Sequence, residues 1–161
     1  MKNKSVYLSA ALCLLAVAAM TISLALTGGR SEQGEFTPPP FEAEAQSGMP
    51  DTTDSSWTKV YQNGMNFSAH ICGRVVPKDE SAELYFTNDD GNKVWLKLRI
   101  LDEKGTILAE TGLLKPNEYV KTVPFYTTPG EGTKISLKIM AYEPDTYYSA
   151  GAVTLNTTIG G

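Results

Sequence analysis

The sequence predicts an all-β domain, an antiparallel sandwich of about seven strands, preceded by one transmembrane helix and a disordered linker. Three observations predict this organisation. Residues 6–26 carry no charged side chain, residues 31–56 are acidic and rich in Pro, Ser and Thr, and the remaining sequence alternates apolar with polar side chains between short turns. Alternation with a period of two is typical of half-buried strands, because successive side chains point to opposite faces.

The uncharged N-terminal segment is long enough to cross a membrane. About 20 residues at 1.5 Å rise per residue span the ~30 Å hydrocarbon layer. Lys2 and Lys4 precede the segment and no acidic residue does, so the positive-inside rule places residues 1–5 in the cytoplasm. We expect a signal anchor over residues 6–27, hence a single-pass cell-membrane protein whose C-terminal domain is extracytoplasmic. The alternative is a cleaved signal peptide with its site at residues 23–25, which would make the protein secreted.

Residues 28–56 are predicted to be a disordered linker. They contain almost no large aliphatic side chains, so folding would bury too little apolar surface to offset the lost chain entropy. The three prolines at positions 38–40 favour an extended polyproline II conformation. The linker would hold residues 57–161, one domain of ordinary size, away from the membrane.

Each strand of the domain is predicted by its alternation and by the turns beside it. In residues 94–101 the inward positions are Val94, Leu96, Leu98 and Ile100, and clusters of Asn, Asp and Gly on both sides favour turns. The same reasoning predicts strands at residues 68–76, 82–87, 106–110, 119–126, 135–142 and 150–159. Seven short strands joined by turns are typical of an immunoglobulin-like or fibronectin-III-like sandwich, with a small barrel as the alternative.

Two runs carry a resemblance to a group of known proteins. They are "YFTNDDGNKVWLKLRILDEKGTILAETGLLKPNEYVKTV" and "KISLKIMAYEPDTYYSAGAVTLNTTI". The sequence over residues 65–159 resembles small membrane-anchored surface proteins of Gram-positive anaerobic bacteria, which share a membrane segment, a spacer and one immunoglobulin-like domain. The resemblance implies the fold and the location and carries no activity.

The sequence offers few residues for catalysis or metal binding. His70 is the only histidine and lies two residues from Cys72, a spacing that suggests a nucleophile and its base. No third group that would orient such a pair can be named, so a buried free cysteine is expected. Asp89, Asp90 and Asn92 could offer oxygens to calcium, but the EF-hand spacing is absent and turn formation explains all three. We expect no enzyme activity, no cofactor and no metal.

Charge and cysteine content narrow the function further. The formal net charge is -4, so no global basic field favours nucleic acid. Of the two cysteines, Cys13 lies in the apolar N-terminal segment and Cys72 in the domain. A disulfide within the domain is therefore impossible, and the fold must depend on its hydrophobic core.

One set of side chains is a candidate binding surface. Outward positions of the third and sixth predicted strands, which are neighbours in an immunoglobulin-like topology, mix aromatic and basic residues, and two tyrosines follow at the rim. The set is Trp95, Lys97, Arg99, Lys138, Met140, Tyr142, Tyr147 and Tyr148. Aromatic and Arg side chains are enriched in interfaces, although ordinary cross-strand pairing also explains them.

The function expected from the sequence is that of a non-enzymatic interaction module, tethered to the membrane as part of a cell-envelope or surface assembly. Its partner would be a protein or a glycan outside the cell. The alternative is a module that binds carbohydrate or an anionic envelope polymer through Trp95 and the basic side chains.

The anchor can be tested on the native protein. If residues 6–27 are retained, the protein stays in the membrane fraction after high-salt and alkaline washes, because about 20 apolar residues hold it in the bilayer. The measurement is immunoblotting of washed membranes combined with N-terminal sequencing. A mature chain that begins near Leu26 contradicts the prediction.

Overall fold

The computed structural model describes residues 36–62 and 65–160. These residues contain ten β-strands. No helix occurs among these residues. The chain divides into two units, Met1–Thr37 and Pro38–Gly161, and all ten strands belong to the second. The strands are β1 (Gln46–Ser47), β2 (Trp57–Val60), β3 (Ala69–Cys72), β4 (Pro77–Lys78), β5 (Ser81–Asn88), β6 (Trp95–Asp102), β7 (Ile107–Glu110), β8 (Glu118–Pro124), β9 (Lys134–Tyr142) and β10 (Ser149–Thr158).

The strands form two antiparallel sheets. The large sheet has the order β1-β8-β5-β3-β2, with β4 paired to β5, and the small sheet has the order β10-β9-β6-β7. Two separate sheets are the arrangement of a β-sandwich, so the sandwich prediction is confirmed and the barrel alternative is wrong. The seven predicted strands correspond to β3 and to β5 through β10, whereas β1, β2 and β4 were not predicted.

The core lies between the two sheets. Leu96, Leu98 and Ile100 of β6 are fully buried, and so are Leu137 and Ile139 of β9. The predicted direction of these side chains is therefore confirmed. The large sheet contributes a second set of fully buried side chains, Ile71, Ala82, Leu84, Phe86 and Val123 among them.

The segment from residue 38 to residue 56 is ordered, which corrects the predicted disordered linker over residues 28–56 for this part. Residues 28–35 of that prediction lie outside the described residues. Around Phe41 the chain pairs in parallel with Leu113, beside the small sheet. A few residues later, Gln46 and Ser47 pair with Tyr119 and Glu118 of β8 in the large sheet. The prediction was wrong because it considered only buried apolar area. This segment is held largely by backbone hydrogen bonds to open sheet edges, which any extended sequence can make.

Gly112 allows this segment to approach closely. The Glu42 backbone nitrogen donates to the Leu113 carbonyl at 2.9 Å, and the Gly112 backbone nitrogen donates to Glu42 Oε2 at 2.7 Å. A Cβ atom at position 112 would stand 2.5 Å from the Glu42 backbone nitrogen, closer than packed atoms can be. Glycine is therefore required where the segment crosses.

A second crossing segment lies at the opposite lateral side of the domain. After β3 pairs with β5 in the large sheet, Val75 pairs in parallel with Ile159, just beyond β10 of the small sheet. The Gly160 backbone nitrogen donates to the Val75 carbonyl at 2.9 Å. The chain then returns to the large sheet as β4. Each lateral side of the sandwich is thus crossed by a segment that pairs with both sheets.

The predicted membrane segment lies outside the described residues. Within residues 36–62 and 65–160, no helix has the length and apolarity needed to cross a membrane. Cys72 is buried and free, as predicted.

The core assignment predicts clear differences in stability. Truncating a fully buried aliphatic side chain, as in Leu96→Ala or Ile139→Ala, should lower the free energy of unfolding by about 2–5 kcal/mol, because it removes apolar burial and leaves a cavity. The exposed Thr58 of β2 is the matched control, since Thr58→Ala should change it by less than about 0.5 kcal/mol. Urea denaturation measures both. Equal effects would show that the side-chain directions are wrong.

Candidate functional site

The outer face of the small sheet brings the predicted binding residues together. In the pairing of β6 with β9, Trp95 lies opposite Tyr142, Lys97 opposite Met140, and Arg99 opposite Lys138. The hairpin between β9 and β10 carries Tyr147 and Tyr148. The predicted set therefore forms one continuous surface of two strands and one hairpin, which we call the outer face.

Trp95 is less exposed than an isolated surface aromatic. Its ring centroid lies 4.8 Å from that of Phe41 and 5.2 Å from that of Tyr147, both in edge-to-face geometry. The Lys115 ammonium group stands 4.7 Å above the Phe41 ring. Tyr148 remains 72% exposed. Trp95 therefore packs against Phe41, which a segment predicted to be disordered supplies as its neighbour.

Lys97 is also not the surface residue that the alternation suggested. Its side chain is only 7% exposed, and Nζ lies 3.1 Å from Glu110 Oε2. Arg99 Nε donates to the same oxygen at 2.8 Å. Lys97 points outward as predicted, but it is enclosed between neighbouring side chains of the sheet, with Met140 opposite. The outer face is thus partly neutralised by a carboxylate from β7 that the sequence did not associate with it.

The protonation of Glu110 reflects this pairing. Burial raises the pKa of Glu110, but the hydrogen bonds and positive charges of Arg99 and Lys97 outweigh it and hold the pKa below its usual 4.5. Glu110 therefore stays ionised at neutral pH and balances one of the two cations.

A second polar cluster lies at the β2 side of the large sheet, around the buried carboxylate of Asp89. Oδ2 lies 2.7 Å from Lys59 Nζ and accepts from Ser68 Oγ at 2.5 Å. Oδ1 accepts from His70 Nδ1 at 2.6 Å, since an ionised carboxylate can only accept. Burial raises the pKa of Asp89, but the hydrogen bonds from Lys59, Ser68 and His70 lower it below 3.8. We call these four residues the Asp89 cluster.

Trp57 covers the His70 ring. The two rings are stacked with centroids 4.5 Å apart, and Trp57 Nε1 donates to the Tyr85 carbonyl at 2.9 Å. Tyr85 sits in an irregular stretch of the pairing between β5 and β8, with a φ of 47° that is uncommon for a residue with a side chain. The strained bulge thus presents a carbonyl that fixes the indole over the cluster.

The suspected Cys72–His70 pair is not a nucleophile and its base. The His70 side chain is bonded to Asp89 and stacked on Trp57. Burial, together with the Asp54 carboxylate, raises the pKa of the Cys72 thiol to about 11. The thiol therefore stays protonated at neutral pH, where only a thiolate would be reactive.

Asn88 extends the polar network to the small sheet. Its Nδ2 donates to the carbonyls of Val94 and Leu114, both at 2.9 Å, and Oδ1 accepts from Asn92 Nδ2 at 2.5 Å. The sequence contained one signal for this role. Asn88 continues the inward series of Leu84 and Phe86, and a buried amide must find partners.

Two of the three suspected calcium ligands, Asp89 and Asn92, have other partners, and Asp90 is exposed. Asp89 is bonded as described, and Asn92 Nδ2 also donates to the Ser68 carbonyl at 2.6 Å. Among residues 36–62 and 65–160, no three His, Cys, Asp or Glu side chains are grouped as a metal site would require.

No protein-family model matches the chain, and no curated protein sequence is significantly similar to it.

Asp89→Asn should lower the free energy of unfolding by about 2–4 kcal/mol, because an amide cannot replace a buried carboxylate that accepts from three donors. Asp90 is the exposed neighbour and serves as the control. Asp90→Asn should change the free energy of unfolding by less than about 0.5 kcal/mol. Because the folded pKa of Asp89 is lowered, its contribution is present above the unfolded value of 3.8 and is lost as pH falls below it. Urea denaturation between pH 7 and pH 3 should show the gap between Asp89→Asn and wild type narrowing with acid. A constant gap contradicts this account.

Proposed function

We propose that the chain is a non-enzymatic interaction module, tethered to the cell membrane through residues 6–27 and presenting its β-domain outside the cell. The observation that carries the proposal is the outer face, where the register of β6 and β9 aligns the residues opposite one another. A surface of aromatic and basic side chains on a rigid sheet is suited to binding, because little side-chain freedom is lost on contact.

We further propose that the domain is immunoglobulin-like. The strands of that fold are named A to G in chain order. One of its sheets has the order G-F-C-C′, and the other contains strands A, B and E. The small sheet order β10-β9-β6-β7 and the neighbours β8-β5-β3 support this assignment. The parallel pairing of Val75 with Ile159 would be the crossing of the first strand to the last. β1 then takes the place beside E where strand D would lie.

The second candidate is binding of an anionic glycan or envelope polymer. Lys97 and Arg99 share the single carboxylate of Glu110, and Lys138 has no carboxylate within ion-pair distance among the described residues. The outer face thus carries more cations than carboxylates, although the chain as a whole has a net charge of -4. A local excess of positive charge favours an anionic ligand.

The two candidates differ in their response to substitution. Tyr142→Ala should weaken capture of a protein partner at least about tenfold, because a truncated interface aromatic commonly costs about 2 kcal/mol. Lys138→Glu should abolish binding of an anionic polymer. The difference in affinity between this variant and wild type should shrink as the salt concentration rises, because exposed charges are screened. The full chain in nanodiscs is tested in two ways. Its binding to neutral and anionic glycans is measured on arrays, and its binding to envelope proteins is measured by cross-linking.

Lys78→Glu is the matched control, an exposed lysine of the large sheet with the same change of charge. Equal effects of Lys78→Glu and Lys138→Glu would show that only net charge matters. Unchanged binding by both Tyr142→Ala and Lys138→Glu would contradict an outer-face site altogether.

A further inference from the structure

We propose that the outer edge of β10 pairs with the same edge of a second copy of this chain, in an antiparallel arrangement about a twofold axis. β10 is the terminal strand of the small sheet. Among the described residues, its C-terminal end has neighbours on that side, through Val75 with Ile159 and through Thr157 Oγ1, which donates to the Gly73 carbonyl. At the other end, the Phe67 ring lies close to Gly151. The register shifts between Ser149 and Gly151, where the Gly151 backbone nitrogen donates to Ser149 Oγ at 3.4 Å, so the regular open row of backbone donors and acceptors is residues 152–156.

The other edges are short or covered. β2, at one edge of the large sheet, has four residues, and β1 covers the opposite side of β8. Beside β7 of the small sheet, the Tyr126 backbone nitrogen donates to the Leu108 carbonyl at 2.8 Å. Proteins blunt open edges in such ways, and also with charge or proline. β10 has ten residues, Ser149–Thr158, and contains no charged residue and no proline; its one irregularity is the register shift between Ser149 and Gly151 at its start.

The side chains of the open edge do not obstruct a second strand. Gly151, Ala152 and Thr154 are exposed and small. A twofold axis near Val153 would place Ala152 of one copy opposite Thr154 of the other, on the same face of the joined sheet. The two four-stranded sheets would then become one continuous sheet of eight strands.

A feature at each end of β10 identifies a second copy as the occupant. Tyr148, directly before β10, is 72% exposed. At the other end, a cleft of about 500 Å³ is lined by Glu103, Lys134, Ile135, Ser136 and Asn156–Thr158. Antiparallel pairing brings the start of one β10 beside the end of the other, so Tyr148 of each copy would reach the cleft of its mate. A twofold axis makes this contact twice.

The size of the contact predicts a weak dimer. Edge pairing over about five residues with two tyrosine contacts lies at the low end of interface sizes, below roughly 1,200 Å². Such a dimer forms reversibly with protein concentration, and a shared membrane would favour it through a raised effective concentration. The inference does not depend on the outer face having another partner.

The experiment is sedimentation equilibrium of the full chain in a non-ionic detergent, over a range of concentrations up to about 100 µM, which suits a weak interface. Wild type should show a reversible monomer–dimer equilibrium. Ala152→Glu combined with Thr154→Glu should abolish the dimer, because like charges then face each other across the axis. Thr58→Glu combined with Thr128→Glu is the control, since both residues are exposed and lie outside β10.

A second pair of variants tests the tyrosine contact. Tyr148→Ala should raise the dimer dissociation constant at least about tenfold, whereas Tyr126→Ala, at a side chain 67% exposed, should leave it unchanged. Hydrogen exchange should show amides of β10 protected more strongly as concentration rises. A monomer at all concentrations, or a dimer that persists in the double glutamate variant of β10, overturns the proposal. Because the readout is mass without any partner, neither result bears on the proposed function.

Discussion

Pairing of backbone groups at the lateral sides of the sandwich is the constraint on which the rest of the structure depends. Two sheets alone would leave open edges on both sides, and unpaired backbone groups at an edge either cost free energy or recruit another chain. Here one segment pairs first with Leu113 and then with β8, and another pairs with β5, then with Ile159. Both segments link the two sheets, so the packing of the core and the partial closing of the lateral sides support each other.

The outer face follows from this closure. Phe41 reaches Trp95 only because its segment is held against Leu113 by backbone hydrogen bonds. The glycine at position 112 lets the two backbones approach. Trp95 therefore contributes both to the fold and to the surface proposed for binding. A substitution there changes the attachment of the crossing segment as well as the surface itself, which makes Tyr142 and Lys138 the more selective probes.

The sequence predicted what alternation encodes and missed what distant segments contribute. The seven main strands and the inward directions of Leu96, Leu98 and Ile139 follow from local patterns, because burial on one face imposes a period of two. The candidate residues of β6 and β9 also lie opposite one another, as predicted, because the two strands are neighbours in the sheet and their register is fixed. Burial of Lys97 beneath its ion pair could not be predicted, because Glu110 lies on another strand. The ordering of residues 38–56 was missed because backbone pairing leaves no apolar pattern in the sequence.

The buried polar clusters belong to the large sheet, whereas the edge strand β10 of the small sheet is uncharged. The Asp89 cluster and Asn88 tie β2, β3 and β5 to Val94 and Leu114. Charged hydrogen bonds of this kind are costly to break when buried, so that end of the large sheet has little freedom to change. On the same lateral side, β10 of the small sheet contains no charged residue, and its regular stretch Gly151–Asn156 is paired with β9 alone among the described strands. Buried charged groups therefore stabilise the large sheet, and the uncharged edge of β10 is the place where we infer that two copies of the chain pair.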